Sequence, residues 1–259
     1  MPMIKLHNVS KAFDQNKVLD RISLEVEESE SLVILGGSGT GKTVLLKVIL
    51  GLLRPNDGNI FVDGARVNID QPTALFEIRK KIGMCFQMAA LFDSMTVLEN
   101  ISFGLSRHTN YSSVQIRSRV DECLTLVGLR DTATLYPSEL SGGMKRRVGF
   151  ARAIALKPKI LLFDEPTTGL DPVMTDVISR VITDLRSELR ATTITITHDL
   201  KVAFNIGQNI SLLHRGSIVA SGSPQGFASN QDPLVVQFIK GTSEGPFLAD
   251  PPPKSQITI

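Results

Sequence analysis

Gly36-Gly37-Ser38-Gly39-Thr40-Gly41-Lys42-Thr43 is a run of small residues closed by a lysine and a hydroxyl. Small residues let successive backbone N–H groups curl around an anion without Cβ clashes, so the run can nest phosphate oxygens. Lys42 adds a point charge for the outer phosphates, and the Thr43 hydroxyl is a candidate Mg²⁺ ligand. The spacing satisfies G-x-x-x-x-G-K-[ST] without a gap or substitution. Farther along, an apolar run ends in Asp164-Glu165. A carboxylate at the end of a strand beside a phosphate nest can hold Mg²⁺, and a second one can orient and deprotonate an attacking water. Asp-Glu-Pro can also cap a helix or begin a turn. In the company of the nest, the catalytic reading is preferred. A lone histidine usually satisfies local hydrogen bonds, but His198 closes a β-branched run and from there can reach a terminal phosphate.

These residues need elements to hold them. Residues 31–35 read as a buried strand, and residues 43–50 as a helix whose N-terminal dipole faces the phosphates. Residues 4–9 and 18–26 alternate as half-buried antiparallel strands. Phe13 is placed in the turn between them, where its ring either plugs a hairpin or stacks on a purine. Arg54-Pro55-Asn56-Asp57-Gly58 is a turn before a strand at 59–62, with Asp63-Gly64 as the next turn. The strand at 82–86 ends at Gln87, after which the pattern becomes helical. Residues 96–105 suit a helix, and Val120, Cys123, Leu124 and Val127 follow helical spacing, with Gly128 as the stop. This helix-rich insert runs to about residue 155. Within it, Leu140-Ser141-Gly142-Gly143-Met144 precedes a basic helix at 145–156. Its Lys145-Arg146-Arg147 is read as a solvated face in preference to phosphate contacts. Strands are predicted at 160–163, 192–197, 209–213 and 217–220, and short helices at 224–229 and 233–239. The stretch from Gly241, with Pro246 and three consecutive prolines at 251–253, reads as an extended, loose tail in preference to a clasp on a partner.

The 259 residues are 42% hydrophobic and 21% charged, ordinary for a soluble globular chain of one large domain, or one domain plus a subdomain. Lys+Arg 28 against Asp+Glu 26 leaves a formal +2, so no charge field argues for nucleic acid or an anionic membrane. Cys85 and Cys123 lack the paired spacing of a zinc site and read as reduced, buried thiols. Residues 1–9 carry no basic segment leading into an apolar core, and no run approaches the ~18 apolar residues of a spanning helix. The expectation is a cytosolic protein.

Together these motifs resemble the ATP-binding subunits of ABC transporters over residues 4–241. Phe13 sits where the family's adenine-stacking aromatic falls, residues 36–43 match its Walker A motif, and Gln87 matches its Q-loop glutamine. Residues 140–144 match the signature LSGGQ, with Met144 in place of Gln. Asp164 and Glu165 match Walker B and the catalytic glutamate, Gly169-Leu170-Asp171 the D-loop, and His198 the switch histidine. The resemblance implies an α/β P-loop NTPase: a RecA-like core with an antiparallel β subdomain, plus an ABC α-helical subdomain at about 88–155. The cassette would span residues 1–241, followed by an extended tail at 242–259. It also implies a head-to-tail dimer in which each ATP is shared. Gly36, Gly37, Ser38, Gly39, Thr40, Gly41, Lys42 and Thr43 would bind it on one side. Ser141, Gly142 and Gly143, with Asp171, would close it from the second copy. Thr43, Gln87 and Asp164 would hold Mg²⁺, while Glu165, His198 and Gln87 form the catalytic group. Met144 should not disable the site, because the phosphate contacts come from the residues before it.

A finer resemblance lies in Phe86-Gln87-Met88-Ala89-Ala90-Leu91-Phe92-Asp93-Ser94. Most importer ATPases carry a proline after the Leu-Phe of this loop, whereas Asp-Ser is similar to the ATPases of MCE-type lipid transporters, the family of the Mla phospholipid system. Gln237-Phe238-Ile239-Lys240-Gly241 and Glu244-Gly245-Pro246 are similar to that family's ending as well. The resemblance implies phospholipid movement between membranes of a bacterial envelope. Implied partners are transmembrane permease subunits docking near residues 87–92, an MCE substrate-binding protein and a STAS-domain regulator. The chain would then lie peripherally on the cytoplasmic face of the inner membrane. The alternative is the ATPase of an amino-acid or methionine importer, which the Asp93-Ser94 loop and the lack of a folded C-terminal regulatory domain disfavour. A soluble ABC protein acting on DNA or the ribosome is a third reading. One cassette, no heptads and near-neutral charge argue against it.

Overall fold

The computed structural model describes residues 2–247. β1 (Ile4–Phe13) and β2 (Asn16–Val26) form a hairpin that leads into β3 (Ser31–Leu35) and α1 (Lys42–Ile49). β4 (Asp57–Val62), β5 (Ala65–Arg66), α2 (Pro72–Lys80) and β6 (Ile82–Cys85) follow. The helical stretch is α3 (Val97–His108), α4 (Ser113–Leu126) and α5 (Gly142–Ile154). β7 (Ile160–Asp164), α6 (Pro172–Leu189), β8 (Thr192–Thr197) and α7 (Leu200–Ile206) return the chain to the core. β9 (Asn209–His214), β10 (Ser217–Gly222), α8 (Pro224–Ala228) and α9 (Pro233–Lys240) complete it.

The strands make two sheets. One is four-stranded and antiparallel, in the order β2-β1-β4-β5; the other is six-stranded, in the order β10-β9-β3-β8-β7-β6, with only β10 antiparallel to its neighbour. The central strands are buried on both faces, as parallel sheets require; β3 and β7 are almost wholly apolar, whereas β8 carries Thr193, Thr195 and Thr197 on one face. Period-2 alternation divides them between two cores. Leu32 and Ile34 of β3, with Leu162 of β7 and Ile196 of β8, pack toward α1 and the antiparallel sheet. Val33, Leu35, Leu161 and Phe163 face the helices, against Phe150, Ile154, Ile178 and Val202. Each fully buried side chain of this kind contributes about 1.5–3 kcal/mol.

Helix starts are set by local chemistry. Thr96 with Glu99, and Ser112 with Gln115, form reciprocal capping boxes at α3 and α4, of the kind worth about 1 kcal/mol each. Val120, Cys123, Leu124 and Val127 are all buried, as their spacing predicted, and Gly128 turns the chain at φ 66°. Both cysteines are free and buried, and burial pushes the Cys123 thiol up to about 11.

The structure differs from the sequence expectations in several places. Phe13 is the last residue of β1, paired with Asn16, so the turn is Asp14-Gln15. Helices α2, α6 and α7 have no counterpart among the sequence expectations, and α6, the longest of the described helices, begins at Pro172 with Asp171 as its cap. The first part of the predicted tail is held against the body. Gln237 Nε2 donates to the Thr242 carbonyl at 3.1 Å, Gln237 Oε1 accepts from the Phe247 amide at 2.6 Å, and the Phe247 ring lies 4.3 Å from that of His214. Residues 248–259, with the three prolines, lie outside the described residues.

Candidate functional site

Four neighbouring parallel strands end at one edge. Leu35 of β3 pairs with Thr197 of β8, Ile196 of β8 with Asp164 of β7, and Phe163 of β7 with Cys85 of β6. The residues just beyond these ends are the glycine-rich loop, His198, Glu165 and Phe86-Gln87. The carboxyl ends of parallel strands are where α/β sheets bind ligands. A cavity of about 330 Å³ opens there, with Ser38, Gly39, Gly41, Lys42 and Thr43 on one wall and Gln87, Glu165, Thr168 and His198 on the other. Two larger clefts, of about 410 and 390 Å³, lie over α4 and beside the turn at 54–58. Neither brings a phosphate nest up to a lysine and a carboxylate.

The loop has no room for larger residues at two points. A Cβ on Gly36 would sit 2.6 Å from the Leu213 carbonyl oxygen, and Gly41 adopts φ 100° against the Val18 carbonyl. Gly41 also caps α1, so the helix opens onto the cavity and its free N–H groups can receive an anion there. Lys42 is buried, and its Nζ donates to the carbonyls of Gly36 and Gly37 at 2.8 and 2.9 Å. The same ammonium lies 3.3 Å from Glu165 Oε1.

The two carboxylates are set apart by their surroundings. Asp164 Oδ1 accepts from the Thr43 hydroxyl at 3.2 Å. Burial raises the Asp164 pKa above the usual carboxylate range; the Thr43 bond opposes the shift and neighbouring Glu165 adds to it. A buried carboxylate beside a hydroxyl is a donor set of hard oxygens that suits Mg²⁺, an ion that takes one or two carboxylates and completes its shell with water and phosphate. Glu165 sits at φ 47°, a left-handed conformation that costs an L-residue about 1–2 kcal/mol, and its amide donates to the Ile196 carbonyl at 3.0 Å. Its Oε2 lies 2.9 Å from His198 Nδ1 and accepts from the Thr168 hydroxyl at 3.0 Å. Thr168 belongs to no motif in the sequence; its place three residues after Glu165 in a tight turn is the signal for it.

Other predicted residues lie away from this cavity. Phe13 does not line it: the ring is 42% exposed, with Lys11 Nζ 5.0 Å from its centroid, while Val18 of β2 lines the wall instead. Ser141 caps α5, accepting from the Met144 amide at 3.3 Å, and Gly142 is exposed with open space around it. Gly143 is covered by Met174. Asp171 Oδ1 accepts from the amides of Val173 and Met174 at 2.9 and 3.0 Å. None of these four lines the cavity of their own chain.

The basic helix is not a solvated face. Arg146 donates to the carbonyls of Pro166 and Thr168, and Arg147 to that of Gly128 at 3.0 Å. Arg152 donates to the carbonyls of Ala89 and Ala90, both at 2.7 Å. Those two alanines have φ 58° and 47°, so Arg152 secures a strained stretch immediately after Gln87. The partners of these arginines are carbonyls far along the chain, which charge pattern alone does not reveal.

A family model described as "ABC transporter" matches residues 19–168. The chain belongs to the ABC transporter family. It is 39% identical over 244 residues to the intermembrane phospholipid transport system ATP-binding protein MlaF of Escherichia coli K12, covering 94% of this chain and 91% of that protein. It is equally 39% identical to the probable ribonucleotide transport ATP-binding protein mkl of Mycobacterium leprae, over 95% of this chain and 72% of the other. Among solved structures, the ATP-binding cassette MJ0796, a dimer in a post-hydrolysis state bound to ADP and Pi, matches with a TM-score of 0.78 at 33% identity, covering 86% of this chain and 99% of that one. The cbiO1 subunit from Clostridium perfringens matches with a TM-score of 0.82 at 28% identity, covering 92% and 95%. The fold is therefore the ABC ATPase cassette, and the chain is an ATP-hydrolysing subunit that energises an ABC transporter. Among the described residues, no helix is long and apolar enough to cross a membrane.

Proposed function

We propose that this chain binds MgATP between two copies of itself and uses its hydrolysis to drive a permease that moves phospholipid. The observation that carries the hydrolytic part is the convergence of Lys42, Glu165 and His198 on one cavity beneath the glycine-rich loop. In the nucleotide-free chain, Glu165 serves as counter-charge to Lys42. A γ-phosphate takes over that role, because a polyanion held by the loop amides outcompetes one carboxylate. Glu165 is then free to accept a proton from water, and His198 fixes its orientation and reaches the terminal phosphate. Thr43, Asp164 and Gln87 hold Mg²⁺, which when bound neutralises charge on the phosphate oxygens. Phe13, exposed and outside that cavity, is the ring offered to the adenine where the nucleotide extends beyond the phosphate site.

The exposed positions of Ser141 and Gly142, away from their own chain's cavity, fit a role in trans. They present a helix N-terminus and free amides to the nucleotide of the second copy, with Gly143 behind them and Asp171 alongside. The solved MJ0796 dimers lend support to this assembly. The lipid reading is supported by Asp93-Ser94 in the loop after Gln87 and by the likeness to MlaF. It implies transmembrane permease subunits, an MCE substrate-binding protein and a STAS-domain regulator as partners, with the chain on the cytoplasmic face of the inner membrane. A ribonucleotide cargo is the second reading, favoured by the name of the mkl relatives. Purifying the tagged full chain from membranes in detergent and identifying bound lipids and co-purifying proteins separates the two. A permease carrying stoichiometric phospholipid is the expected result; a permease with a solute-binding protein and no lipid would overturn the lipid reading.

A further inference from the structure

Glu165 stands on a turn, residues 165–168, whose backbone points three carbonyls at one side chain. The Arg146 guanidinium donates through Nη1 to the Pro166 carbonyl and, at 3.5 Å, to that of Glu165, and through Nη2 to that of Thr168. The turn closes on itself only weakly, with the Thr168 amide donating to the Glu165 carbonyl at 3.3 Å. Pro166 has no N–H to contribute. Glu165 is moreover held at φ 47°, a conformation that persists only where its surroundings over-determine it. Two anchors do so: the Ile196 carbonyl of β8, which accepts from the Glu165 amide, and Arg146 of α5. The Thr168 hydroxyl that bonds Glu165 Oε2 rides on the same turn, so the guanidinium fixes the side chain as well as the backbone.

Arg146 also belongs to the helix that begins at Gly142 behind its cap Ser141. The link is reinforced at the helix start, where Met174 of α6 fills the space a side chain on Gly143 would take. We propose that Arg146 is a positioning residue for Glu165, tying the carboxylate to the helix that carries residues 141–143 so that the two move as one body. A planar guanidinium suits this task because its fixed fork of donors spans several carbonyls, which a single ammonium cannot do. The proposal rests on the reading of Glu165 as the proton acceptor.

The test is steady-state ATPase kinetics on the full chain with Arg146→Met, which keeps the packing of the stem, and Arg146→Lys, which keeps the charge. Arg147→Ala serves as the control, since it loses carbonyl bonds of the same helix that lead only to residues 127–128. Both Arg146 variants are expected to lose about tenfold or more in kcat with KM for ATP within about twofold, the scale expected when a reacting group is misplaced. Arg147→Ala should leave kcat near wild type. Combining Arg146→Met with Glu165→Gln should slow turnover no further than Glu165→Gln alone, because residues acting as a unit are non-additive. Multiplying losses in the double variant, full rescue by lysine, or an unchanged kcat would each overturn the proposal. Near-normal turnover in Glu165→Gln alone would instead overturn the reading beneath it. If Arg146→Met proves unstable, amide exchange in Arg146→Lys decides: faster exchange confined to residues 165–171 is expected, and unchanged protection there contradicts the tie.

Discussion

Glu165 Oε2 and His198 Nδ1 lie 2.9 Å apart across adjacent strand ends, although 33 residues separate them in sequence. The contact follows from β8 lying next to β7 in the sheet, which sets the first residue after each strand side by side. His198 is the more exposed partner, with 57% of its side chain accessible against 12% for Glu165. Its ring is therefore available to a ligand while it orients the carboxylate. His198→Ala should lower kcat by about 10- to 100-fold with little change in nucleotide affinity, as expected for loss of a group that orients a base. Steady-state kinetics beside titration with a fluorescent ATP analogue checks the split.

Asp164 gives a prediction in pH. Its pKa is raised in the fold, chiefly by burial. Its favourable contribution therefore belongs to the protonated form: it is present in full below the unfolded value of about 3.9 and is lost as pH rises through the higher folded value. Once pH exceeds the unfolded value, holding this carboxyl in the fold costs stability in the nucleotide-free chain. Asp164→Asn should accordingly raise Tm at pH 7, with the gain shrinking toward zero below about pH 4. The same variant should lose the extra stabilisation that Mg²⁺ adds to ATP. Thermal melts across pH, with and without MgATP, measure both effects.

Gly142 separates folding from function. A Cβ there meets nothing within 4 Å, and the residue opens α5. Gly142→Ala should leave stability unchanged or raise it by up to about 1 kcal/mol, since alanine is the better helix former. If residues 141–143 close the nucleotide site of a second copy, the added methyl obstructs the phosphate and ATPase activity falls by about tenfold or more. Urea unfolding and ATPase assays on the same preparation report the two effects independently.

Much of the site was legible because its chemistry is local. The nest, Lys42 and Thr43 are consecutive, and the apolar runs before them and before Asp164 became buried strands for the reason read from them. Helix α6 escaped notice because its start, Asp171-Pro172, lies in a stretch whose residues read as a motif, although Asp before Pro is itself a capping signal. Arg146 and Arg147 depart from the expected solvated face because a charge run gives no sign of the carbonyls it will find. Those carbonyls lie 22 and 19 residues away from their arginines. Composition places Phe247 in a loose tail, whereas the rings of His214 and Phe238 and an amide bond to Gln237 seat it, contacts that composition does not reveal.

The most direct test of the account is ATP turnover by Glu165→Gln, measured beside ATP binding in the same preparation. Glutamine keeps the shape and a hydrogen bond toward His198 while removing the proton acceptor. Binding within a few-fold of wild type and hydrolysis lowered by about 10²-fold or more are expected. Turnover near wild type, with the permease present, would contradict the account.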